Sequence, residues 1–379
     1  MARYHWIESL RADLLWYIGP PLIGLLCIPI AFAGDVRNGS SALVVITVWA
    51  LALDGPHFWP TLARTVLDPS EWGRRGGVLG RSFLFFLAAP AVVLAPWLFG
   101  RSAQLGPVLL VNGFLAWAYW HTARQHWGFF RLYARKAGEE DPKEAMIDRL
   151  VFHTLLFVPP LLFVSSAWYP GRARGGMFAT PFPTPGIVTP GGALDAARAL
   201  LHGALLIVYI AAAVAYLAWQ LVRWRSGRTL NAPKLLLLGA VAPVHLVPFI
   251  HPELPLYTQV VIGAGHAVQY QRIVWRYGRS HYLAPDSGAA RAARRIFASA
   301  PLYVVPGFAF TFLLLRGPLV QRAIGSLARA ATFVTRVPEP LLEATFAALF
   351  MGWLFQHYYL DARIWRIGHD DDVRRGLGV

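Results

Sequence analysis

Hydrophobic residues run along this chain in long blocks, separated by short polar joints rich in arginine, glycine and proline. Ten blocks stand out, at about 14–33, 41–62, 82–100, 105–124, 150–168, 199–222, 235–251, 256–274, 297–315 and 340–360. Each comes close to the roughly 20 residues with which an α-helix crosses a bilayer core. Lipid offers a peptide group no hydrogen bonds, so such blocks must satisfy their backbone internally, as helix. The pattern predicts an all-α, polytopic integral membrane bundle of about ten transmembrane helices. The joints leave little room for a soluble domain, so residues 1–379 read as a single integral membrane domain.

Three joints have a character of their own. Residues 1–13 read as a short amphipathic lead-in lying on the membrane surface. Residues 169–198 are dense in Gly and Pro, which rules out a regular helix and predicts an external loop placed to act as a cap. Residues 278–295, rich in Arg, read as a cytoplasmic loop. Prolines at 56, 60, 159, 160, 243 and 248 fall inside or beside the blocks, where they predict helix breaks near polar residues.

Charge then orients the bundle. The chain has 35 Lys and Arg against 20 Asp and Glu, a net charge of +15. If the N-terminal side is inside, 26 of those 35 cations fall on inner joints and nine outside. The positive-inside rule accounts for that excess and puts both termini in the cytoplasm, so nucleic-acid binding is not needed to explain it. Only the last outer joint, with Arg316, Arg322, Arg329 and Arg336, breaks the trend. Arginine outnumbers lysine 32 to three, a habit of GC-rich bacterial genomes that fits a bacterial inner membrane. The lone cysteine, Cys27, excludes intrachain disulfides and any Cys-based metal site. Ala31-Phe32-Ala33 loosely mimics a signal-peptidase site, but the long, proline-bearing block before it predicts an uncleaved first helix.

The candidate chemistry lies in the histidines. Six of the twelve, His57, His121, His126, His153, His266 and His357, fall near block ends that this topology places on one side of the membrane. Ionisable residues at that depth are costly without a partner and mark functional sites. Asp54 and His57 share a helix face three residues apart, and His357 and Asp361 share one four apart. His121 and Gln125 are likewise i, i+4 neighbours, and His266 and Gln269, three residues apart, also share a face. His121 and His126 lie roughly 140° apart around a regular helix, so they share an ion only where that helix distorts. The competing readings are an Asp54–His57 bond that only ties helices, an interfacial belt for His126, and surface pairing of Asp361 with Arg363 or Arg366. His245 and His251 are expected in the outer half of their block, away from the rest. His5, His202, His281 and His369 are expected at solvent or interface.

Imidazole with carboxylate suits non-haem iron best, ahead of zinc, copper or manganese. The donor supply, His57, His121, His126, His266, His357, Asp54 and Asp361 with His153 in reserve, fits dinuclear iron, or haem with a second centre. Gln269, Gln125 and Arg124 are the candidates for orienting a ligand or substrate. Trp59, Trp117, Trp353 and Tyr358 would keep such a pocket dry.

His121-Thr-Ala-Arg-Gln-His126 resembles the HxxxxH first box of the histidine-box membrane desaturase and hydroxylase class. Gln356-His357 is distantly similar to that class's last box, although the chain has no HxxHH and more apolar blocks than the class usually has. Asp54-Gly55-Pro56-His57 is similar in residue type to segments of the bacterial membrane β-carotene dioxygenases. The resemblance implies di-iron oxygen chemistry at the cytoplasmic ends of the helices.

The expectation is therefore a membrane-embedded, iron-dependent oxygenase acting on an acyl chain, isoprenoid or carotenoid, supplied with electrons by a partner protein. Two rivals come from other classes. A proton-coupled transporter would use the His/Asp pairs as relays. A lipid-headgroup transferase would hold phosphate with Arg124, Arg131, Arg272 and Arg276.

Overall fold

The computed structural model describes residues 4–33, 40–166, 192–250, 258–284 and 291–379, which are helical and contain no strand. In chain order the helices are α1 (Leu10–Asp13), α2 (Pro20–Ala33), α3 (Ser40–Trp49), α4 (Phe58–Arg64), α5 (Pro69–Ser82) and α6 (Phe85–Leu98). There follow α7 (Leu105–Lys136), α8 (Pro142–Ser165), α9 (Ala193–Arg225), α10 (Ala232–Leu246) and α11 (Thr258–Tyr282). The last five are α12 (Arg291–Ala298), α13 (Ala300–Phe310), α14 (Pro318–Thr335), α15 (Glu339–Ile364) and α16 (Asp371–Leu377). Three π-helical turns interrupt them, at Leu14–Ile18, Ala50–Asp54 and Thr311–Leu315.

Five helical stretches among the described residues are long and apolar enough to cross a membrane: Pro69–Leu98, Pro142–Ser165, Ala193–Arg225, Ala232–Phe249 and Ala300–Thr335. The bent pair Leu10–Ile18 and Pro20–Pro29 would make a sixth. The chain thus has the helices of an integral membrane protein. The blocks expected at 105–124 and 340–360 lie on α7 and α15, and the described part of the 256–274 block, from Thr258 on, lies on α11. These helices run on into polar sequence, and they carry most of the candidate ligands.

The chain divides into two compact units. The first comprises 1–46 and 122–266, with Val379. Its tightest helix approaches are made by glycine: a Cβ on Gly265 would lie 2.4 Å from Pro21 Cα. Aromatic contacts such as Tyr17 with Phe129 (5.2 Å between centroids) and Phe130 with Phe152 (5.1 Å) fill it. Of residues 4–13 of the expected lead-in, Leu10–Asp13 form a helical turn, and the buried Asp13 accepts from the amides of Ile7 (2.7 Å) and Glu8 (2.9 Å) and from the Tyr133 hydroxyl (3.0 Å). On the same unit the buried Lys234 ammonium lies 2.6 Å from Glu139 and 2.9 Å from Asp148. Tyr216 also donates to Asp148 (2.8 Å).

The loop expected at 169–198 lies mostly outside the described residues. Its last part belongs to α9, whose first turns are braced by an Asp195–Arg198 ion pair.

The second unit comprises 47–121 and 267–378. Its apolar core runs from α4 (Phe58, Leu62) through α6 (Ala89, Val93) and the first half of α7 (Leu110, Ala118) to α15 (Ala348, Leu354, Phe355, Tyr358). Residues 278–295 are not one loop. α11 continues to Tyr282, and α12 follows as an amphipathic helix with Arg291, Arg294 and Arg295 exposed. Its buried Phe297 stacks on Tyr282 (4.9 Å) and fills the space beside Gly278. The C-terminal α16 is clamped by Asp370, which takes both Arg74 (3.1 Å) and Arg75 of α5.

Candidate metal centre

Two turns lead into the site. The π-helical turn Ala50–Asp54 ends in Gly55-Pro56-His57, and His57 caps the N-terminus of α4. Gly55 is required there, since a Cβ would lie 2.2 Å from Thr311 Cγ2. Gln271 of α11 donates to the Pro56 carbonyl (2.9 Å) and fixes the turn. At its far end α4 is held by the buried Arg64, which donates to the Ile364 carbonyl (3.0 Å) and stacks on Trp365 (3.7 Å).

The centre itself forms where α4, α7, α11 and α15 meet within the second unit. His121, His357 and Asp361 are all buried, and one donor atom from each lies within 4.8 Å of the others. Both imidazoles address the same carboxylate oxygen: Asp361 Oδ2 is 3.7 Å from His357 Nε2 and 3.9 Å from His121 Nε2. Bonds of about 2.1 Å to one ion put donors roughly 3.0–3.6 Å apart, so the donors would have to draw together by up to about 1 Å to share one ion. The other oxygen, Oδ1, accepts from the hydroxyls of Tyr270 (2.7 Å) and Thr61 (3.1 Å). Thr61 Oγ1 is also 2.6 Å from His357 Nδ1 and 2.7 Å from the Tyr270 hydroxyl. His57 adds a third imidazole, its ring 4.8 Å from that of His357, the same spacing as His121 to His357.

The sequence-derived candidates therefore separate. His121, His357 and Asp361 come together, with His57 alongside. Asp54 is not one of these three donors; its carboxylate is met by Arg316 Nη2 and lies 3.7 Å from His57 Nδ1, which also meets its carbonyl. Surface pairing of Asp361 is ruled out geometrically, since Arg363 bonds the Tyr359 carbonyl and Arg366 the Ala362 carbonyl. In the first unit His126 is not an interfacial residue. It is fully buried, with its Nδ1 3.1 Å from Nε2 of the equally buried His245, a residue that the block pattern had set aside. His153 is half-buried and bonds the Arg149 carbonyl (2.7 Å), and it is not among the converging donors. Gln125 spends its amide on the His266 carbonyl (3.0 Å), and the buried His266 lies one turn before Tyr270 on α11. Arg124 is exposed, whereas Gln269 is fully buried. His251 lies outside the described residues.

Thr61, Tyr270 and Arg316 were missed by sequence reasoning. A signal existed for the first two: Thr61 is i+4 from His57 and Tyr270 is i+4 from His266, each one turn along the same face. Arg316 was visible only as the exception to the charge rule.

No protein-family model, no curated protein and no solved structure matches this chain significantly. The arrangement has to be read from its own chemistry. His121, His357 and Asp361 are a buried group of two imidazoles and one carboxylate that could hold a metal ion.

Proposed function

We propose that this protein is a metal-dependent membrane oxidoreductase acting on a lipid-soluble substrate such as an acyl chain, isoprenoid or carotenoid. The observation that carries the reading is the convergence of His121, His357 and Asp361, all buried, within 4.8 Å. Two histidines and one carboxylate with open positions are the donor set of non-haem iron oxygenases, so iron is the metal proposed. His57, beside His357, is the further donor that a dinuclear centre would use. Bound iron would supply dioxygen activation. The chain's own part is to hold the donors, to exclude water with Phe58, Trp117 and Tyr358, and to keep the carboxylate oriented.

The proposed setting is ten spans with both termini cytoplasmic in a bacterial inner membrane. Membrane lipids surround the protein, and a partner protein delivers electrons. The test is metal content with the visible spectrum of detergent-purified protein. About one or two iron atoms per chain are expected, and far less in His121→Ala, His357→Ala and Asp361→Ala. Iron well below one per chain, with the three variants no different, would overturn the assignment.

A proton-coupled carrier is the second reading, favoured by the buried His126–His245 pair, which has the geometry of a proton relay. Transport in proteoliposomes that survives thorough chelation would select it.

A further inference from the structure

Resting on the metal reading above, we propose that Thr61 and Tyr270 are positioning residues that divide the work of the Asp361 carboxylate between its two oxygens. Oδ1 is given over to hydroxyl donors, from Tyr270 at 2.7 Å and Thr61 at 3.1 Å. Oδ2 is thereby aimed at the Nε2 atoms of His357 and His121, at 3.7 and 3.9 Å. A carboxylate held in this way presents one oxygen to an ion, so Asp361 ligates through Oδ2 alone and leaves more of the coordination sphere open.

The same hydroxyl sets the histidine. Thr61 has one proton, and donating it to Asp361 leaves its lone pairs for His357 Nδ1, 2.6 Å away. His357 then carries its proton on Nδ1 and turns the lone pair of Nε2 toward Oδ2. This is the tautomer that a ligating imidazole takes when its other nitrogen donates to an oxygen. Three helices supply the parts: Thr61 from α4, Tyr270 from α11, and His357 with Asp361 from α15. The hydroxyl oxygens of Thr61 and Tyr270 lie 2.7 Å apart, side by side over the oxygen that both donate to, and both residues are buried. Neither hydroxyl is a ligand in this scheme. Each acts through Asp361 or His357.

The experiment is a Co²⁺ titration of the full-length, detergent-purified chain, followed by the visible absorption of the bound ion. Thr61→Val and Tyr270→Phe keep the volume and remove the hydroxyl. Each is expected to weaken Co²⁺ binding about 10–100-fold and to change the absorption envelope. Thr61→Ser, which restores the hydroxyl without the methyl, is expected to bind within about threefold of the unaltered chain. A merely structural role would not give that rescue. Asp361→Ala and His357→Ala serve as controls that lose binding.

If Thr61→Val and Tyr270→Phe bind Co²⁺ as tightly as the unaltered chain while the controls fail, the positioning inference is wrong and the metal centre stands. If the controls bind as well as the unaltered chain, or that chain binds no Co²⁺, the metal reading falls and takes this inference with it. Should Thr61→Val not fold, judged by size-exclusion profile, Tyr270→Phe and Thr61→Ser decide the matter alone.

Discussion

Arg316 reaches Asp54 across two π-helical turns, placing a guanidinium on the one carboxylate of its helix and a second bond, 2.9 Å, on the Ala50 carbonyl. Asp54 and Leu315 each end a π-helical turn, with Arg316 immediately following the second. Such turns release carbonyls from the regular ladder, and Ala50 uses its own to accept from both Gly55 (2.9 Å) and Arg316. The arginine that broke the expected charge trend is therefore a counter-ion to Asp54. Replacing it alone, Arg316→Met, should destabilise the protein by about 3 kcal/mol by leaving Asp54 buried and unneutralised. Asp54→Asn with Arg316→Met should recover much of that loss, as read by thermal unfolding in a double-mutant cycle.

Gly55 sets the distance between the same two turns. Gly55→Ala puts a methyl group 2.2 Å from Thr311 Cγ2 and should cost roughly 1–3 kcal/mol through overpacking. Thr311→Ser removes the methyl that clashes most closely, although Oγ1 still lies 2.6 Å from the new Cβ, so partial recovery of the melting temperature is expected. Full recovery, or none, would mean that the contact is not what limits this position.

Metal should stabilise the folded chain by mass action. At a free ion concentration about 100 times Kd the gain is about 2.7 kcal/mol. Chelation should therefore lower the unfolding temperature of the unaltered protein and leave Asp361→Ala unmoved. Equal sensitivity of both proteins would place the stabilising ion elsewhere.

Asp370 makes the C-terminal clamp pH-dependent. Burial pulls its carboxyl up, but the Val373 amide and the guanidinium groups of Arg75 and Arg74 together hold it below its ordinary value of 3.8. A depressed folded-state value means stability that is present above pH 3.8 and lost as pH falls through the lower, folded value. Proteolysis or hydrogen exchange across 365–378 should thus rise in that acid window, and Asp370→Asn should show the loosened behaviour already at neutral pH.

Lys234 answers two carboxylates at once, the buried Asp148 and the partly buried Glu139. Lys234→Met should destabilise the first unit by more than about 3 kcal/mol, since it strands both acids. Adding Asp148→Asn should lessen the damage.

How far the sequence carried this picture depended on which force was being read. Burial in lipid writes itself as long apolar blocks, so the helical, membrane-type architecture was legible. The i, i+4 spacing of His357 and Asp361 put them on one face, and the structure closes that pair with His121. Pairings between distant segments left no such mark. Arg316 with Asp54 is separated by 262 positions, and His126 with His245 by 119. The pattern of blocks gives depth only coarsely, and His245 was set aside for that reason. The 278–295 segment misled because its arginines look like a loop until Phe297 shows where the other face goes.

His357 and Asp361 ride on one turn of α15, while His121 stands on α7. Two of the three donors therefore move as a rigid couple. Twisting α15 by about 10° about its own axis would sweep side-chain tips through roughly 1 Å, which is the margin between holding an ion and releasing it. The grip of the proposed centre would in this sense be a torsional property of a single rod, and anything that leans on that rod would be felt at a bound ion.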